Sequence, residues 1–262
     1  EGPSEANSSY ISWGRIVVYD MIETDVLVIG GGGAGCRAAI EAHDRGSKVL
    51  LALKGSLGNS GCTLNVGTTA AVGPWGEEGD SNEASMQDLI SYGGFLADQD
   101  LAKVLIDEGS DRMLEMAEWG IDFERNNDGS IRINRAAEHT FSRNFTFKPA
   151  PDSRHDYGLT AGWAMMDTLL GELHKRSILI MEDVVLLDVL KSNDRVVGAT
   201  AIDCSQDKLL VLKAKSTILA TGTYSQIFNP TTVSVDETGD GQAAAYKAGA
   251  ELIDMESTQF VA

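Results

Sequence analysis

Residues 23–54, ETDVLVIGGGGAGCRAAIEAHDRGSKVLLALK, constrain this chain more than any other stretch, because they read as strand, glycine turn, helix and second strand. Residues 25–29 form a short β-branched apolar run, and Gly30, Gly32 and Gly35 fit the spacing G-x-G-x-x-G. Ala38, Ala39, Ile40 and Ala42 then give the next segment one buried helical face. Each glycine has a physical role. The first permits a tight turn out of the strand, the second admits a pyrophosphate against the main chain, and the third lets helix and strand pack closely. The helix start at Gly33 and Ala34 offers N–H groups to phosphates. A glycine pattern alone is weak evidence. Here the strand before it, the helix after it and a second strand over 48–53 surround it, and together they predict a dinucleotide-binding α/β unit.

Composition narrows the class without naming the chemistry. At 262 residues with 43% hydrophobic content, the chain can bury one large core or two modest ones. A net charge of -18 argues against nucleic acid as a partner and reads most simply as solubility. No apolar run approaches the roughly 20 residues needed to span a bilayer, and no charged start followed by an apolar core marks a signal peptide. The expectation is a cytoplasmic protein that is not integral to a membrane, with a peripheral seat on the cytoplasmic side left open. Cys36, Cys62 and Cys204 are widely separated, which fits reduced thiols and neither a disulfide framework nor a metal site. Any iron–sulfur centre would have to sit on another polypeptide.

Along the chain, residues 1–20 are polar and lack periodicity, so they read as an N-terminal extension or a cloning remnant before a single domain over 21–262. Helical patterns run over 83–96, 101–119 and 159–174. Asn126-Asn127-Asp128-Gly129 predicts a hairpin between 121–123 and 131–133. Strands are expected at 177–180, 184–190, 196–203, 208–213 and 216–219, with turns at 191–194 and 205–207.

The loop after the second strand bears on which dinucleotide is held. Nicotinamide-binding units commonly end that strand in an acidic residue, whereas this one ends Ala52-Leu53-Lys54. Ser60, Gly61, Cys62, Thr63, Gly67 and Thr68 follow, small residues suited to close approach by a long cofactor. In these features the sequence resembles the flavoprotein subunits of succinate dehydrogenase and fumarate reductase, with their relative L-aspartate oxidase. The segment ending Ala220-Thr221-Gly222 is similar to the family's ATGG strand end. Thr238-Gly239-Asp240-Gly241 followed by QAAAYKAGAEL looks like its TGDG helix start, and Asp254-Met255-Glu256 with Gln259 and Phe260 resembles DMExxQF.

The resemblance implies a Rossmann-like FAD-binding domain, a parallel sheet with helices and a β-meander, incomplete at its C-terminal end. It implies that Asp240, with Thr238 beside it, accepts from a flavin ribityl hydroxyl, and that Gly222 lets the cofactor lie against the backbone. The strand holding Val184 and Val185 would read the adenine edge through its main chain. Where succinate dehydrogenases carry the histidine that bonds FAD covalently, an ungapped count places Gly61, with Cys62 next to it, so noncovalent FAD is expected over a thioether at Cys62. The family's QFHPT reads Gln259-Phe260-Val261-Ala262 and stops, so the substrate clamp is altered or missing, and the family's capping domain does not follow. A fragment of a longer protein is favoured over a second chain or a degenerate paralogue.

The implied reaction is hydride transfer between a small carboxylate such as succinate or fumarate and FAD, and the candidate electron partner is an iron–sulfur subunit. An L-aspartate oxidase-like enzyme and a noncatalytic flavin-binding module are the alternatives. His139 and Arg143, in RAAEHTFSR, occupy a stretch where relatives carry a histidine and an arginine near the flavin, and they either position substrate or the flavin ring or form a surface or interface pair. His155 reads as a solvated loop residue, His43 and His174 as polar helix-face residues, and Trp75, Trp119 and Trp163 as core or interface. No zinc-protease, P-loop or serine-hydrolase pattern occurs.

Overall fold

Residues 26–29 and 49–52 are uninterrupted Val, Leu, Ile and Ala, the composition of strands buried on both faces, and they lie at the centre of the principal sheet. The structure, a computed structural model, describes residues 11–12, 16–17, 19–148 and 160–258. In chain order the elements are β1 (Ile11–Ser12), β2 (Ile16–Val17), β3 (Tyr19–Ile29), α1 (Gly33–Asp44), β4 (Val49–Ala52), β5 (Thr69–Ala70), α2 (Asn82–Tyr92) and α3 (Gln99–Glu118). There follow β6 (Ile133–Asn134), β7 (Asn144–Phe145), α4 (Thr160–Lys175), β8 (Leu179–Met181), β9 (Val184–Ser192), β10 (Arg195–Asp203), β11 (Lys208–Leu219) and α5 (Asp240–Lys247).

The chain divides into two compact units, Glu1–Cys62 with Glu172–Ala262, and Thr63–Gly171. The first holds a six-stranded sheet of order β8-β4-β3-β11-β10-β9. Strands β8, β4, β3 and β11 run parallel, and β11, β10 and β9 form an antiparallel meander. Its core gathers Leu27, Ile29, Leu50, Leu186, Leu210 and Leu212. The second unit carries the small antiparallel sheet β5-β7-β6 and an aromatic cluster of Trp75, Phe123, Phe145 and Phe147, with ring centroids 5.0 Å apart for Trp75 and Phe145. Trp75 is thus a core residue, its Nε1–H donating to Ala71 O.

Several boundaries differ from those the sequence predicts. The expected strands 208–213 and 216–219 are one strand, β11, because its parallel neighbour β3 pairs with it from Leu209↔Tyr19 to Leu219↔Ile29 and carries the ladder through the polar middle. For the same reason β3 begins at Tyr19, well before the expected start at residue 25. The helix expected over 83–96 stops at Tyr92, where Gly93, then Gly94 and Phe95 at φ 63, turn the chain and Phe95 N–H donates to Ile90 O. The next helix begins at Gln99, since Asp98 Oδ1 accepts from the N–H groups of Asp100 and Leu101.

The turn at 126–129 forms, with Gly129 N–H donating to Asn126 O. Arg125 bridges Ile131 and Arg132 N–H donates to Glu124 O, so the hairpin pairs next to its turn. Further out, Phe123 bridges Phe147 and Ile133 pairs with Phe145, and aromatic burial draws the outer flanks to a third segment. Ser177, at φ 52, belongs to a turn, which delays β8 to Leu179. Leu159, the first residue of the expected third helix, lies outside the described residues, as do His155 and residues 259–262.

Candidate functional site

Main chain packed on main chain builds the turn after β3. Gly30 leaves the strand at φ 111, and a Cβ there would overlap the carbonyl of Ala220, while a Cβ at Gly35 would overlap the carbonyl of Gly30. Gly30 N–H donates to Ala52 O and Ala220 N–H to Ile29 O, so the ends of β4, β3 and β11 are locked around the turn. A Cβ at Gly31 would sit 2.7 Å from Leu53 Cδ1. Gly32 is the N-cap of α1 and brings no side chain to it, and no acidic residue lies in its first turn at Gly33, Ala34 or Gly35. The positive end of the helix therefore faces no competing carboxylate of its own, as an anion site requires.

Lys54 follows β4 and reaches a segment 186 residues further on. Its Nζ donates to Asp240 Oδ2 at 2.8 Å and to Thr238 Oγ1 at 2.5 Å, and Thr238 Oγ1 donates to Asp240 Oδ2 at 2.9 Å. Both charged side chains are about one-third exposed, 30% and 34%, so the pair is open to a ligand hydroxyl. Asp240 begins α5 after Gly239, and Gly241 packs on Thr221, which anchors that helix start on the Ala220–Gly222 turn.

Two further acids join these loops. Asp236 Oδ2 accepts from Ser60 Oγ at 2.6 Å, and Glu237 Oε1 accepts from Cys62 N–H at 3.2 Å, while Glu237 Oε2 accepts from Thr223 N–H. The 234–240 segment is thus stitched to the 54–62 loop at Ser60, Cys62 and Lys54. Sequence reasoning missed Asp236 and Glu237. The signal available was two carboxylates immediately before TGDG, and nothing local shows that they turn back toward a loop over 170 residues earlier.

Burial first, and the Glu237 carboxylate second, raise the Cys62 thiol above its ordinary value. Burial pushes the Cys36 thiol up to about 12, and its Sγ–H donates to Gly31 O. Val185 lies in β9 opposite Ile202 of β10. Thr63, Gly67 and Thr68 belong to the second unit: Thr63 lies in a 3-10 turn, Cys62–Asn65, and Gly67 O accepts from Thr146 Oγ1.

His139 and Arg143 also lie in the second unit. Arg143 is 1% exposed and engages two aspartates with all three nitrogens, Nε and Nη2 to Asp80 and Nη1 to Asp88. Asp88 also accepts from the Thr140 N–H and hydroxyl. This guanidinium is the centre of a buried ion cluster rather than an exposed surface pair. His139 Nδ1 is buried without a hydrogen-bond partner, beside a cavity of about 400 Å³ lined also by Tyr92, Leu105, Glu138 and Arg143. His43 stands 3.4 Å from Asp44, and His174 is exposed. Among the described residues no group of three or more His, Cys, Asp or Glu is placed to hold a metal.

The donor set of the first unit fits FAD. A glycine-rich helix start without acidic residues suits a pyrophosphate, a half-open carboxylate suits ribityl hydroxyls, and glycine turns admit a flat group to the backbone. The family model described as an FAD binding domain matches residues 25–262. The fumarate reductase (CoM/CoB) polypeptide of Methanothermobacter marburgensis is 34% identical over 243 residues, 92% of this chain and 42% of the relative. L-aspartate oxidase of Streptomyces coelicolor is 31% identical over 245 residues, 91% of this chain and 40% of the relative. The solved structure of Mycobacterium smegmatis Sdh1 in complex with UQ1 matches with a TM-score of 0.77 at 26% identity, covering 87% of this chain and 38% of that one. The chain spans about two fifths of the length of the curated relatives it matches. Among the described residues no helix is long and apolar enough to cross a membrane.

Proposed function

Because the chain belongs to the FAD binding domain family, we propose that it forms the cofactor-holding part of an enzyme that moves a hydride between a small dicarboxylate, such as succinate or fumarate, and FAD. The observation that carries this reading is the convergence of Lys54, Thr238 and Asp240 beside the Gly30–Gly35 turn. In this reading 21–262 is one functional cofactor domain. Gly30, Gly32, Gly33, Ala34 and Gly35 receive the pyrophosphate, and Asp240, aligned by Lys54 and Thr238, accepts from ribityl hydroxyls. The main chain at Val185 meets the adenine. Leu53, Ser60–Cys62 and Ala220–Gly222 supply backbone donors and close approach to the main chain. The bound flavin supplies the hydride-accepting ring, and the protein supplies orientation and charge.

FAD is held noncovalently in this account. Gly61 offers no nucleophile, and the environment of Cys62 opposes the thiolate that a thioether would need. Electrons pass to or from a separate partner, an iron–sulfur subunit, on the cytoplasmic side. An L-aspartate oxidase activity is the second reading, favoured by the glycine at the covalent-histidine position and by the S. coelicolor relative.

The test uses the full-length polypeptide. Acid precipitation should release FAD into the supernatant, and the holoprotein should oxidise a reduced viologen dye on addition of fumarate. Peroxide formed from aspartate would select the second reading, flavin retained in the precipitate would overturn noncovalent binding, and failure to bind FAD would overturn both.

A further inference from the structure

Glu237 is a buried acid, 5% exposed, and among the described residues it forms no ion pair. A carboxylate taken out of water without a cation is costly unless its oxygens are satisfied by good donors. The main-chain donors are the N–H groups of Cys62 and Thr223, one to each oxygen, and the Cys62 thiol also hydrogen-bonds this carboxylate. Each donor follows a glycine in the left-handed region, Gly61 at φ 90 and Gly222 at φ 75. Backbone turned in this way presents N–H groups to one side and makes a concavity that receives anions. Gly222 is doubly required, because a Cβ on it would also overlap the Glu237 carboxylate.

We propose that Glu237 is a positioning residue for the cofactor, a built-in anion that bridges the Gly61–Cys62 turn to the Gly222–Thr223 turn and keeps both in their binding-ready shape. The inference rests on the reading that these turns line the FAD site. It deepens that reading by assigning their geometry to one side chain outside them. Both carboxylate oxygens accept from N–H donors, so a glutamine cannot replace the acid, since its NH₂ would oppose one of the two donors. A small free carboxylate can replace it, because the receptor is main chain and persists when the side chain is removed.

The experiment compares the full-length polypeptide with its Glu237→Ala and Glu237→Gln variants, with and without formate, using chloride at equal ionic strength as control. In Glu237→Ala the affinity for FAD should fall at least about tenfold, the loss expected when charged hydrogen bonds are removed. Formate should restore it where chloride does not, and Glu237→Gln should remain weak. Independently of flavin, formate should raise the Tm of the apo Glu237→Ala protein and leave that of the parent unchanged. Parent-like FAD affinity in Glu237→Ala, or a loss that formate leaves unrepaired in both affinity and apo Tm, would overturn the proposal. A parent that binds no FAD would instead overturn the cofactor reading, while the apo Tm response still reports on the bridge.

Discussion

In the second unit Asp80 and Asp88 meet the guanidinium of Arg143 through three hydrogen bonds, whereas in the first unit Glu237 meets main-chain N–H groups and Asp240 meets a lysine that is only partly buried. The side-chain chemistry is the same and the outcome differs. Carboxylates closed around a buried arginine have their partners inside the fold and mainly hold loops together. A carboxylate paired with a partly exposed lysine, as Asp240 is with Lys54, leaves donors and acceptors that a ligand can reach, while the buried Glu237 is tied to the glycine turns around it. The first setting suits a structural role, and the second suits the binding role proposed above.

The largest effect should come from breaking the arginine cluster. Arg143→Met strands two buried aspartates and should lower the stability of the second unit by about 3–5 kcal/mol, measured by urea unfolding. A loss within about 0.5 kcal/mol, the range of an ordinary surface change, would dissolve the distinction drawn here. Acid sharpens the same point. Burial works against the charge on Asp88, yet the Thr140 and Arg143 hydrogen bonds outweigh it and hold the carboxyl below its ordinary value. A depressed folded value means that the contribution to stability is complete above the unfolded value, about 3.9. It is then lost as pH falls through the folded one. Stability should therefore decline below about pH 4, and Asp88→Asn should show a shallower decline.

Lys54→Met sharpens the other half. As a partly exposed pair, Lys54 and Asp240 should contribute no more than about 1 kcal/mol to stability, so the variant should melt near the parent. Its FAD affinity should nevertheless fall about tenfold, the loss of one charged contact. Equal losses of stability and affinity would make Lys54 a structural residue. The smallest effect concerns thiol reactivity. Alkylation should proceed fastest at exposed Cys204 and slowest at Cys36, with Cys62 between them. The pH midpoint for Cys62 should drop in Glu237→Gln, since the carboxylate is one cause of its raised value.

Legibility in the sequence followed the range of the interactions. The unit over 23–54 was readable because apolar runs and glycine spacing encode strand, turn and helix within a few residues. The TGDG helix start was readable for the same reason, and α5 begins at its aspartate. What sequence could not show depends on distant partners. The segment RAAEHTFSR contains nothing to indicate that Arg143 closes on acids 55 and 63 positions earlier. Glu237 lies three residues before α5 and shows no role in the sequence until the loop at Cys62 is brought against it. The join of 208–213 to 216–219 likewise depends on β3, a neighbour about 190 residues away.

The central claim is that the glycine turn and the start of α1 receive FAD, and Gly32→Val tests it most directly. Gly32 has φ −74, a conformation open to any residue, so valine should leave the fold and Tm close to the parent while placing a side chain at the helix mouth. The account predicts a folded protein that retains no FAD after gel filtration. A Gly32→Val protein with normal flavin occupancy would contradict it.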